Sequence, residues 1–247
     1  MSTQTCCLEV CVDGPAGLTA AVAGGADRIE LCGALSVSGL TPTLGFMRLA
    51  ATCATPSYAM IRPHPGDFRF TPAEVDLMYA DIDAVREAGL AGVVLGASRA
   101  DGSLDETVLA RLVAHAAGLG LGVTLHRAFD LVPDFPAALE TAIGLRFERV
   151  LTSGGATTAL KGLDTLRALV AQAGERISIM AGGGVTPANV HMLVDAAGVH
   201  EVHGSFSRKW RPTGGPDRLN ALGFGLAEQA ETDEASVAAA KAALRCR

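Results

Sequence analysis

The chain has 247 residues, about half of them hydrophobic, with a formal charge of −6. This is the composition of a globular protein able to bury a full core. The mild acidic balance, the lack of a Lys/Arg run and the absence of any ~18-residue apolar stretch argue against nucleic acid and membrane as partners. The N-terminal Met-Ser-Thr-Gln-Thr-Cys-Cys has no basic region followed by an apolar one, so the cytoplasm is the expected compartment. Six cysteines, Cys6, Cys7, Cys11, Cys32, Cys53 and Cys246, are then read as thiols or packing residues, not as a disulfide framework. Cys246 is expected to be exposed and adventitious.

In chain order, strand-like runs fall at Cys6 to Val12, Arg28 to Leu31, Ser57 to Arg62, Gly92 to Leu95, Gly122 to His126, Arg149 to Thr152, Arg176 to Ala181 and Val199 to Ser205. Ala/Leu-rich stretches with helical periodicity separate them. Pro72 to Ala88 is announced by Thr71-Pro72, and the stretch ending at Leu119 by Asp105. Strict alternation predicts a parallel sheet, and eight units predict closure into one α/β domain over 1–247, a (β/α)8 TIM barrel with strands within 6–205. An open doubly wound sheet is the alternative. Helix-to-strand connections are tight, whereas Gly33 to Thr43, Pro63 to Thr71 and Phe206 to about Glu231 are long, which marks the strand C-terminal ends as the functional face. The last loop, with Trp210, Arg211-Pro212 and Gly214-Gly215-Pro216, reads as a lid or as a mere insertion over the mouth. A final helix is expected at Asp233 to Leu244, capped by Thr232 or Asp233.

Leu8-Glu9-Val10-Cys11 and Ile29-Glu30-Leu31-Cys32 repeat one pattern 21 residues apart. Side chains alternate across a strand, so two neighbouring strands present a carboxylate pair and a thiol pair to one enclosed space. Parity gives Glu9, Cys11, Glu30, Cys32, Met60, Arg62, Thr124, His126, Thr152, Met180, Glu201, His203 and Ser205 as inward positions. Barrel interiors are normally apolar, and buried carboxylates need partners. The bland account is an ion-pair network of Arg62 with Glu9 and Glu30.

Three chemical readings compete. Cys11 and Cys32 could ligate Cu(I), which prefers soft sulfur, or could be small core residues. Glu9 and Glu30, with His126 and His203, could do acid–base work, Arg62 anchoring an anion or oxyanion. The same carboxylates and imidazoles could instead hold a divalent cation such as Mn, Mg or Zn. Thirdly, Ser153-Gly154-Gly155 and Gly182-Gly183-Gly184 follow the sixth and seventh strands and Gly204-Ser205 lies at the end of the eighth, where turns bind small anions in this fold; alternatively the glycines only permit tight turns.

These phrases, with Leu40-Thr41-Pro42, Met60-Ile61-Arg62-Pro63, Gly66-Asp67-Phe68, His126-Arg127-Ala128-Phe129-Asp130, Leu151-Thr152-Ser153-Gly154-Gly155, Gly182-Gly183-Gly184-Val185-Thr186-Pro187 and Glu201-Val202-His203-Gly204-Ser205, make the chain similar to the copper homeostasis protein CutC family. The resemblance runs from residue 8 to 205. It implies a TIM barrel, a cytoplasmic location and a link to copper, with Cys11 and Cys32 as Cu(I) ligands. Departures fall at Gly33, Ser38 and His64-Pro65, all in loops of the expected functional face. Two functions are carried forward: copper handling, and a lyase or isomerase acting on a small anionic or sugar-like substrate. A substrate-binding protein without catalysis is third. Self-association into a homo-oligomer is left open by the sequence.

Overall fold

A computed structural model describes residues 6–210, 221–222 and 229–245. Eight parallel strands close into a barrel in sequential order: β1 (Cys7–Val12), β2 (Arg28–Leu31), β3 (Ser57–Met60), β4 (Gly92–Leu95), β5 (Gly122–Leu125), β6 (Arg149–Thr152), β7 (Ser178–Gly182) and β8 (Glu201–Gly204). Helices α1 (Pro15–Ala23), α2 (Leu44–Ala50), α3 (Pro72–Ala88), α4 (Glu106–Gly118), α5 (Phe135–Gly144), α6 (Leu163–Ala173), α7 (Val190–Ala197) and α8 (Glu234–Arg245) follow the strands in turn. This is the (β/α)8 barrel the alternation predicts. Among the described residues no helix is long and apolar enough to cross a membrane.

Local chemistry sets the helix starts. Thr71 and Glu74 form a reciprocal capping box at α3, with Pro72 in the first turn, and Asp105 caps α4 through the Val108 N–H, as expected for these residue types. Asp233 caps α8 by accepting from the Ser236 N–H at 3.0 Å, which decides between the two cap candidates.

The main apolar core lies between the sheet and the helices, filled by residues such as Leu8, Ile29, Ile61, Leu95, Leu125 and Phe129. Inside the barrel the apolar cluster is small: Cys32, Tyr58, Met60 and Val94. Much of the rest of the interior is polar, with Glu9, Arg28, Glu30, Thr124 and His203 all buried. In the loop after β8, Ser207–Trp210 (β9) and Gln229–Thr232 (β10) pair antiparallel, so the flanks of the expected structureless loop are a two-stranded sheet. Arg211-Pro212, Gly214-Gly215-Pro216 and Cys246 lie outside the described residues.

Candidate functional site

The register of β1 builds the centre of the barrel. Glu9 sits opposite Arg28 on β2 and His203 on β8, and Cys11 opposite Glu30. Neighbouring parallel strands therefore surround Glu9 with cations. Arg28 Nε donates to Glu9, the His203 Nδ1 position lies 2.8 Å from Glu9 Oε1, and Arg28 also pairs with Glu201. Burial works to raise the Glu9 carboxyl, but Arg28 and His203 outweigh it and hold it at about 2. Below this layer Arg149 bonds Thr124 Oγ1 at 2.9 Å and lies 3.2 Å from Glu201.

Arg28, which the inward list omits, is thus the partner that the sequence reading gave to Arg62. Its parity with Glu30, two positions along the same strand, was the available signal. Arg62 instead donates to the carbonyls of Val37 and Gly39 at 3.1 Å and of Gly66 at 2.8 Å. The network of Arg62 with Glu9 and Glu30 is therefore not formed. Parity also fails on β6: Leu151 lines the cavity, while Thr152 turns away to bond Asp130.

Above the ion-pair layer a cavity of about 900 Å³ opens at the strand C-terminal ends, lined in part by Cys11, Asp13, Glu30, Arg62, His126 and His203. A thiol, a carboxylate oxygen and a ring nitrogen of Cys11, Glu30 and His203 all lie within 4.8 Å of one another. Burial raises Glu30 to about 7, against the pull of His203 and with a further push from Glu9. Burial opposes charge on His203, but Cys11, Glu30 and Glu9 outweigh it and hold the imidazole well above its ordinary range. Cys32 lies behind Glu30, its Sγ 3.5 Å from Glu30 Oε2. Burial and then Glu30 keep that thiol far above its usual value. Of the two cysteines, Cys11 faces the cavity and Cys32 is walled in.

His126 is of the opposite kind. The Ala128 N–H donates to its Nδ1 at 3.1 Å, which leaves the proton on Nε2. Burial, then the charge of Arg62, push the ring down to about 3. It is a neutral donor at physiological pH. Phe68, distant in sequence and outside any periodic pattern, packs against His126 with centroids 4.7 Å apart.

The anion-binding turns divide. Asp130 accepts the N–H groups of Ser153 and Gly155 at 3.0 Å each, and Thr152 Oγ1 takes that of Gly154 at 2.9 Å. The amides of Ser153 and Gly155 thus already hold an internal carboxylate and that of Gly154 an internal hydroxyl, which removes them from the expected site. Gly183, Gly184, Gly204 and Ser205 do line the cavity.

The family model that matches the chain, over residues 6–208, is that of the CutC family. A CutC family protein of Caulobacter vibrioides (strain NA1000 / CB15N) is 57% identical over 248 residues, covering 99% of each chain. One from Rhizobium meliloti (strain 1021) is 55% identical over 237 residues, 96% of this chain and 95% of the relative. Among solved structures, a CutC protein from Streptococcus agalactiae, described as a copper homeostasis protein, matches with a TM-score of 0.77 at 30% identity, over 81% of this chain and 98% of that one. Phosphoribosyl anthranilate isomerase from Thermococcus kodakaraensis matches at 0.62 with 16% identity, over 98% of this chain and 100% of that one, a likeness of fold alone.

Proposed function

This chain belongs to the CutC family, and on that premise we propose that it serves copper homeostasis in the cytosol by binding one Cu(I) ion at the barrel mouth. The observation that carries the reading is the convergence of Cys11, Glu30 and His203 within 4.8 Å at a cavity wall. A thiolate and an imidazole are a donor set suited to Cu(I), whereas a hard cation would want more oxygen. Cys11 is the outer sulfur ligand, and Cys32 the second, reached past Glu30. The thiols, and the Nε2 of His203, must lose their protons on metal binding. Glu30, poised at about 7, is the group placed to receive one.

The test is a Cu(I) titration of reduced protein against a competing chelator, with Cys11→Ser and Cys32→Ser measured separately and Zn(II) in parallel. The expected result is one tight Cu(I) equivalent, weakened about 100-fold or more by Cys11→Ser and less by Cys32→Ser. Binding indifferent to both substitutions would overturn the reading. Tighter Zn(II) than Cu(I) binding at the same residues would replace it with a divalent site.

A further inference from the structure

We propose that the cavity wall formed by Arg62 and His126 is a binding site for a small oxyanion, a carboxylate or a phosphate, with His126 set across the barrel from Cys11, the outer thiol of the copper site read above. Arg62 is 4% exposed, yet among the described residues no carboxylate lies within ion-pair distance of it. Its Nη atoms spend their protons on neutral carbonyls, and its Nε has no partner. A buried charge without a counter-charge is costly, and Arg62 is among the residues that line the cavity.

His126 supplies the second donor. It is 3% exposed, and its Nε2 also has no partner. Phe68 fixes the two groups near each other: the Arg62 guanidinium lies 4.8 Å from the centre of that ring and His126 4.7 Å from it. Two unspent N–H groups, one carrying a full positive charge, flank a single aromatic ring. They offer no acceptor, so they repel a metal ion and call for a ligand oxygen with negative charge.

The acidic groups of the cavity do not serve that purpose. Asp13 accepts the Leu35 N–H. Asp130 is filled by the turn after β6. Glu30 faces His203 and Cys32. In the closed strand order β5, which His126 directly follows, lies across the barrel from β1, which carries Cys11. A cavity of about 900 Å³ holds a metabolite-sized molecule spanning both walls.

The experiment is calorimetric titration of metal-free protein, with chelator present and ionic strength fixed, using oxalate in one arm and inorganic phosphate in the other and chloride as control. Saturable binding of either anion at one site is expected, and the arm that binds identifies the oxyanion class. Arg62→Gln is expected to weaken it about tenfold or more, and His126→Leu to a similar degree. Arg62 also holds the loop carbonyls of Val37 and Gly39, so a loss in its variant reports on that loop as well as on the site; His126→Leu leaves those contacts in place and decides the matter alone. Absence of saturable binding in both arms, or binding that His126→Leu leaves unchanged, overturns the proposal. Because copper is absent throughout, failure of the copper reading does not alter either result.

Discussion

Two histidines at the rim of one barrel are driven in opposite directions by what stands behind them. His203 backs onto Glu9, whose charge is secured by Arg28, and so keeps its proton. His126 backs onto a backbone N–H and looks toward Arg62, and so gives its proton up. The second case has a measurable consequence for stability. An unfolded histidine titrates near ~6.5, the folded His126 near about 3. Between those values the unfolded chain binds a proton that the native chain refuses, so the His126 contribution weakens stability as pH falls from about 6.5 toward 3 and is absent above. Urea unfolding of wild type and His126→Leu at intervals from pH 4 to 7 should show the two stabilities diverging with pH across that window. Parallel profiles would refute the assignment.

At the scale of single elements, the turn after β6 shows how a glycine motif can mislead. Ser153-Gly154-Gly155 has the backbone of an anion cradle, with Gly154 and Gly155 at φ 69° and 72°, and it does hold an anion. That anion is Asp130, delivered by the 3-10 helix Arg127–Leu131 after β5. Asp130→Asn should cost about 2–3 kcal/mol, since it trades charge-assisted bonds to two amides, two hydroxyls and Arg127 for weaker ones; chemical denaturation measures it. Nothing local in the sequence announces a partner 23 residues upstream. Strand positions were readable because β-branched and apolar runs are local, and β2, β4 and β6 begin and end at the predicted residues. The ends that overran are those where the pattern continues but the chain leaves the ladder. β5 stops at Leu125 because His126 opens the 3-10 helix. β7 ends one residue late, at Gly182, where any side chain would meet Leu151 Cδ1 at 2.4 Å and His203; the glycine is there for space, not for a turn. Arg62 was rightly read as inward but wrongly partnered, since parity gives a direction and not a distance.

Across the whole molecule, the barrel and its C-terminal helix are held together at the seam where the first strand meets the last elements. α8 packs on α1, α7 and β1, and Val237 fits so closely against Gly24 that a Cβ there would lie 2.6 Å away. Beside it, Asp27 accepts the Leu8 N–H at 2.8 Å and pairs with Lys241, which is buried. Lys241→Met removes the cation and leaves Asp27 poorly matched, with an expected loss of about 2–4 kcal/mol. Hydrogen exchange should then quicken in α8 and β1 before it does in β4 and β5. Uniform acceleration around the barrel would mean that the seam is not a separate unit. The same geometry dictates an order of events during synthesis. Asp27 and Lys241 are 214 positions apart, and β1 cannot complete its ladder until β8 exists. The nascent chain must therefore carry a first strand with one open edge and a carboxylate without its cation through nearly all of translation. Such non-local closure slows folding and leaves edges open to association, which makes the emerging β1 the stretch most dependent on a chaperone's protection.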